Sequence, residues 1–225
     1  CLLNTQWLGK EIYYQRSVDS TNSWAKRLAD EGKPSGTVVL ADKQTSGKGR
    51  RGRTWETPER LSIPISILLR PEFPPDKASM LTLAMGLSVV QAVENISDLQ
   101  CGIKWPNDVL ISEKKVCGIL AELYSQIDHL EYMVVGAGVN ANMTEFPDEL
   151  SDKATSLRKE LGRPIRRALV VASILEAFEK NYEIFLQTQD LRVLKEEYAQ
   201  KLLNTDHPVR VLQPHGEFTG TARGI

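Results

Sequence analysis

Trp24, Ala25, Leu28 and Ala29 recur at the three- and four-residue spacing of a helix face, and Gly32 marks where that helix stops. Asp19-Ser20-Thr21-Asn22 just ahead of it are residue types that cap helix N-termini. Thr37 to Ala41 is a β-branched run read as a strand. Leu61 to Leu69 is a second apolar strand, in which Pro64 predicts an edge position or a bulge. Pro74-Pro75-Asp76 opens a long helix whose core face is Met80, Leu83, Leu87, Val90 and Val93.

The next pattern sets the topology. Val109 to Ile111 and Val116 to Leu123 are apolar segments separated only by Ser112-Glu113-Lys114-Lys115, and Tyr132 to Val135 follows after another short polar gap. Parallel crossovers need a dozen or more residues, so these three strands are predicted to form an antiparallel meander. Two helical patterns follow, at 166–188 and 190–203. Pro208 to Leu212 and Glu217 to Arg223 then read as strands split by a Pro-His-Gly turn.

Composition narrows the class. The chain has 225 residues, 28 basic and 29 acidic, a net charge of −1, and 41% hydrophobic residues. That suits one good core with a small appendage. The charge balance argues against a nucleic-acid-binding domain, which usually carries a basic excess. Cys1, Cys101 and Cys117 have neither disulfide-framework nor zinc spacing, and a reducing cytoplasm is expected. Without a run of about 18 apolar residues, no membrane span is expected. The chain opens on Cys1 rather than Met, as a segment of a longer protein would.

Against that neutral background Gly47-Lys48-Gly49-Arg50-Arg51-Gly52-Arg53 stands out, bracketed by Gln44 and Trp55. Glycines let the backbone approach a ligand, and the cations suit a phosphorylated or adenylated small molecule or a nucleic-acid backbone. The plainer reading is a solvated basic turn. Lys104-Trp105-Pro106-Asn107-Asp108 reads as a turn entering a strand, or as a carboxylate, Asp108, placed to hold Mg²⁺ on a phosphate beside Lys104 and Asn107. Lys115 is either an edge gatekeeper or a point charge aimed at an oxyanion, and Gly118 within the same strand hints at close approach by a ligand. Ser20, Thr21 and Asn22 supply more neutral hydrogen-bonding groups than one cap needs. Gly136-Ala137-Gly138-Val139-Asn140 has two glycines of a dinucleotide fingerprint, but lacks the third glycine and the following helix. No nucleophilic triad surrounds His129, His207 or His215.

Taken in order, Asp19 to Asn22, Gln44 to Trp55, Lys104 to Asp108, Lys115 to Leu120 and Gly136 to Asn140 resemble the catalytic domain of the biotin protein ligases, from about residue 13 onward. The resemblance implies an α+β fold, a mixed and largely antiparallel sheet with helices packed on it, like class II aminoacyl-tRNA synthetases and biotin ligases. It also implies the start of a small SH3-like β-domain. Residues 1–12 would be a leading segment, 13–205 the catalytic biotin- and ATP-binding domain, and 206–225 the beginning of the β-domain, apparently incomplete. The implied reaction joins biotin to ATP as biotinyl-5′-AMP and then to a lysine of a biotin carboxyl carrier protein. Biotin, ATP and Mg²⁺ would be the small molecules and a homodimer a possible assembly. A lipoate or octanoyl ligase shares the architecture and is the nearest alternative, and a nucleic-acid-binding regulator is an alternative of another kind.

The family pattern carries over residue by residue. Ser20, Thr21, Asn22 and Gln44 resemble its biotin-ring contacts. Gly47, Lys48, Gly49 and Arg50 resemble the loop that closes over biotin, and Gly118 and Gly136 resemble pocket-lining positions. Arg50 and Lys115 are the implied catalytic cations. Arg53, Trp55, Asn107 and Asn140 resemble adenylate contacts, and Asp108 the metal-proximal carboxylate. Lys48 departs from the pattern: many members have arginine there, with a planar fork that lysine lacks. Many members also carry a helix-turn-helix domain ahead of the catalytic one, and none is encoded here.

Overall fold

The computed structural model describes residues 2–126, 129–213 and 216–225. Seven strands form one sheet: β1 (Ile12–Val18), β2 (Val38–Gln44), β3 (Ser62–Leu69), β4 (Gly102–Lys104), β5 (Asp108–Ile111), β6 (Lys114–Gln126) and β7 (His129–Asn140). Their order across the sheet is β1-β2-β3-β7-β6-β5-β4. The meander β5-β6-β7 is present as predicted, antiparallel throughout. β1 and β2 are parallel, joined by the crossover helix α1 (Thr21–Asp30).

Several sequence expectations need correction. β3 is a central strand, not an edge. β2 pairs with it only as far as Ile65, so the missing N–H of Pro64 lies where the β2 ladder has ended, while Pro64 itself sits opposite Gly138 of β7. The β5–β6 connection is the two residues Ser112 and Glu113, both at positive φ as a tight hairpin requires. Gly136 to Asn140 do not follow a strand but are part of β7. His129 is the first residue of β7. The helix expected from Pro74 begins as a single 3₁₀ turn, Pro75–Lys77, and continues as α2 (Met80–Ile96). The 190–203 pattern yields only the short α5 (Lys195–Lys201). β1 and β4 were not foreseen, because one is mostly polar and exposed and the other is three residues long.

The two faces of the sheet do different work. One packs against α2 and α4 (Arg167–Thr188) in the main core, with Ile65, Ile67, Val135, Ala137 and Ile119 from the strands and Leu87, Val90, Phe178 and Phe185 from the helices. Asn181 of α4 donates to Ser88 and Gln91 of α2, satisfying polar groups inside that layer. Pro75–Ile96 is long and apolar enough to cross a bilayer by composition, but here it is the core helix between the sheet and α4. The opposite face packs on α1 over only part of its width, through Ala25, Leu28, Val39, Leu68 and Val134. The remainder of that face stays open beside the N-terminus of α1.

Residues ahead of β1 are pinned to the core. The buried Glu179 of α4 accepts the backbone N–H groups of Gln6, Trp7 and Leu8 at 2.7–2.9 Å. At the other end, β8 (Pro208–Gln213) and β9 (Gly216–Thr221) form a separate two-stranded hairpin. The turn predicted between them falls at Pro214 and His215, outside the described residues.

A buried carboxylate fixes the outer side of β2. Asp42 accepts the Tyr14 hydroxyl at 2.7 Å and pairs with Arg167 at 2.6 Å, while Arg60 approaches it at 3.4 Å. Burial alone would raise its carboxyl, but the Tyr14 hydroxyl and the Arg167 guanidinium hold it below its ordinary value. A depressed carboxyl stabilises the fold above its unfolded value of about 3.9, and that contribution is lost as pH falls through the lower folded value. Asp42→Asn is therefore expected to be less stable than the parent at pH 7, with the gap narrowing at pH 3. Urea unfolding at the two pH values checks this, and an equal gap at both would contradict it.

Candidate functional site

The open part of the sheet face is floored by glycines. Gly118 of β6 and Gly136 and Gly138 of β7 leave out three side chains from one patch. Other groups fill that room. A Cβ on Gly136 would collide with Asn22 Oδ1, and one on Gly138 would lie 2.5 Å from Trp55 Nε1. A hollow stands on this floor, enclosing about 440 Å³ with the solvent at its open mouth included.

Its polar wall is the N-terminus of α1. Ser20 is the N-cap, and its Oγ accepts the Ser23 N–H. Gln44 Oε1, at the end of β2, accepts from the Thr21 N–H at 2.8 Å and from Thr21 Oγ1 at 3.0 Å, while Gln44 Nε2 donates to Thr57. Asn22 is fixed by three groups: Ser66 Oγ on its Oδ1 at 2.6 Å, and the Leu120 carbonyl and the Glu122 carboxylate on its Nδ2 at 3.2 and 2.8 Å. Glu122 also pairs with Lys26 at 2.5 Å. Burial would raise the Glu122 carboxyl, but Lys26 and Asn22 keep it below its ordinary value.

The cationic wall faces this one. Lys115 Nζ lies 2.7 Å from Asp108 Oδ1 and 5.2 Å from the centroid of the Trp55 ring. Lys115 and Gly118 belong to one strand yet meet over the floor: a Cβ on Gly118 would be 3.1 Å from Lys115 Nζ. The basic loop is a small ribbon above them. The Gly49 N–H donates to the Arg53 carbonyl at 2.7 Å and the Trp55 N–H to the Gly47 carbonyl at 2.9 Å. Lys48 and Thr54 bridge in between, with Arg50 to Gly52 at the tip. Arg51, at the left-handed φ of 59°, sends its guanidinium away from the hollow to the Leu212 carbonyl of β8.

The structure thus brings Ser20, Thr21, Asn22, Gln44, Lys48, Gly49, Arg50, Trp55, Asn107, Lys115, Gly118 and Gly136 around one hollow. Asp108 joins them through Lys115. Gly47 sits at the base of the ribbon, where a side chain would strike the Trp55 carbonyl. Arg53 is exposed on the ribbon and Asn140 lies apart, buried and donating to the Thr155 carbonyl at 3.0 Å. Sequence reasoning missed Ser66 and Glu122, although each is a polar residue interrupting an apolar strand. Among the described residues, no group of three or more His, Cys, Asp or Glu converges to hold a metal.

A family model described as the biotin/lipoate A/B protein ligase family matches residues 14–140, from β1 through the last glycine-floored strand. The chain belongs to that family. Within the biotin/lipoate ligases it groups with those acting on biotin. It is 41% identical to the bifunctional ligase/repressor BirA of Bacillus spizizenii, over 99% of this chain and 69% of that protein. It is 33% identical to the biotin–[acetyl-CoA-carboxylase] ligase of Mycobacterium tuberculosis, over 88% and 73% of the two. Among solved structures, the biotin protein ligase of Aquifex aeolicus in complex with biotin and ATP superposes with a TM-score of 0.83 at 34% identity, covering 96% of this chain and 88% of that one. The mixed, largely antiparallel sheet with packed helices is thus the fold of this ligase family.

Proposed function

We propose that this chain is an ATP-dependent biotin ligase that forms biotinyl-5′-AMP and transfers the biotinyl group to a lysine of a carboxylase's biotin carrier domain. The observation that carries the reading is the pairing of two walls across one glycine floor. Neutral donors and acceptors at Ser20 to Asn22 and Gln44 suit a ureido ring, and Lys115, Lys48 and Arg50 suit a carboxylate becoming an acyl phosphate.

In the first step a biotin carboxylate oxygen attacks the α-phosphorus of ATP. The new O–P bond gives the mixed anhydride, and the bond from that phosphorus to the β-bridging oxygen breaks to release pyrophosphate. In the second, the carrier's neutral lysine amine attacks the acyl carbon, the amide forms, and AMP leaves with the carboxylate's former oxygen. Negative charge moves over phosphate and acyl oxygens in both steps, so preorganised cations supply most of the acceleration. Lys115 is positioned for the carboxylate and then the leaving phosphate. Arg50 and Lys48 close over the anhydride and exclude water, and Trp55 and Asn107 are assigned to the adenylate end with Arg53 of the ribbon beside them, while the buried Asn140 holds the Thr155 carbonyl instead. The nucleophiles come from the substrates, which agrees with the lack of a nucleophilic triad. Mg²⁺ belongs here as the companion of ATP. It typically takes one or two carboxylates plus phosphates, and Asp108 is the carboxylate that would hold it, with the ion neutralising phosphate charge.

Incubation with ATP, Mg²⁺ and either biotin or lipoate tests the reading. Pyrophosphate release is expected with biotin and not with lipoate. Release with lipoate alone would move the chain to the lipoate branch of its family, and release with neither would remove the ligase assignment.

A further inference from the structure

Lys115 reaches the hollow only because β6 changes phase just after it. Gly118, Leu120 and Glu122 alternate onto the open face, while Cys117 and Ile119 point into the main core. Strict alternation would send Lys115, an odd-numbered residue like them, into the core as well. The register with β5 slips here: Val109 is opposite Cys117, but Leu110 is opposite Lys115, leaving Val116 as an extra residue. Val116 and Cys117 are both fully buried in the core. The bulge turns Lys115 onto the glycine floor, a use bulges have beside functional sites.

A bulge at the end of a ladder needs something to hold it. β7 pairs with β6 only from Cys117 onward, so on that side Lys115 has no β7 partner. A short strap from the following connection takes its place. The Lys115 N–H donates to the Lys153 carbonyl at 2.8 Å and the Thr155 N–H donates to the Lys115 carbonyl at 2.9 Å. One side chain ties this strap to the other end of the bulged hairpin. Glu160, in the short helix α3 (Leu157–Leu161), accepts the Thr155 hydroxyl at 2.5 Å through Oε1 and the Ser112 hydroxyl of the β5–β6 turn at 3.2 Å through Oε2.

We infer that Glu160 is a positioning residue for the ligase reaction, aiming Lys115 by clamping the strap and the hairpin turn on either side of the bulge. It lines no part of the hollow. Its loss lets the strap and turn move apart, so that the ammonium no longer meets the substrate carboxylate while the neutral wall at Ser20 to Asn22 is untouched. The inference rests on the assignment of the hollow to biotin.

The test compares biotin with biotinol, in which an uncharged alcohol replaces the carboxylate, by calorimetric titration of the intact chain. Glu160→Ala is expected to weaken biotin by about tenfold and leave biotinol within twofold, copying the selectivity loss of Lys115→Met. Glu160→Gln, which keeps an acceptor for Thr155, is expected to restore most of the biotin affinity. Thr155→Val removes the same hydrogen bond at constant volume and stands in, with the same expectation, should the alanine variant not fold. Equal weakening of both ligands, or no change in either, overturns the positioning role. A parent chain that binds neither ligand would instead overturn the assignment of the hollow.

Discussion

Lys115→Met is expected to slow biotin-dependent pyrophosphate release by roughly 10²–10³-fold, the usual cost of removing one preorganised group that stabilises developing charge. The methionine keeps the length of the stem and its packing on Trp55, so the ribbon above has no reason to collapse. What goes is the single ammonium at the floor, 2.7 Å from Asp108. Asp108 is left without its partner at a buried Oδ1, although the side chain as a whole is about a quarter exposed, so a modest loss of stability accompanies the loss of rate. The effect belongs to kcat with ATP saturating, since the adenylate end of the hollow is untouched. Single-turnover measurement of pyrophosphate release provides the check, and a rate within threefold of the parent would remove Lys115 from the chemistry.

Gly136→Ala is expected to abolish tight biotin binding through a single methyl group. The new Cβ would occupy the place of the Asn22 amide, which cannot step aside cheaply because Ser66, Glu122 and the Leu120 carbonyl all hold it. Displacing that side chain breaks a buried network and misplaces the polar wall, and misplacement of about 1 Å at a reacting site can cost on the order of 10²-fold. Overpacking of this kind also destabilises a fold by about 1–3 kcal/mol. Gly138→Ala meets the Trp55 indole instead, which lies on the ribbon and can withdraw, so its effect should be the smaller of the two. Titration of both variants with biotin decides the matter, and equal affinities would show that the Asn22 network is not rigid.

What could be read from the chain and what could not follows the range of the interactions. The basic ribbon, the Ser20–Asn22 cap and the Lys104–Asp108 turn are local, and each kept its character in the structure. The meander was legible because its links were too short for any crossover. Glu122 and Ser66 escaped notice because their importance lies in contacts with Asn22 across 100 and 44 positions of sequence. Glycines at 136 and 138 depress strand propensity, which ended the predicted strand too early. In the sheet the side chains they lack are replaced by Asn22 and Trp55. Pro64 misleads for the opposite reason: a missing N–H predicts an edge or a bulge, whereas here β2 runs on to Gln44 and only its pairing with β3 stops at Ile65.

The extra residue in β6 makes the register itself the functional setting. Between Leu110 and Gly118 the chain holds an odd step that alternation alone would forbid, and closing the ladder without the bulge would set Val116 opposite Leu110 and Lys115 opposite the buried Ile111. The repaired strand would pair more regularly and carry its lysine into the apolar layer beneath α2, where an unpaired ammonium has no place. A frame of one residue, rather than any side chain, therefore separates a sheet that folds well from one that presents a charge to its ligand.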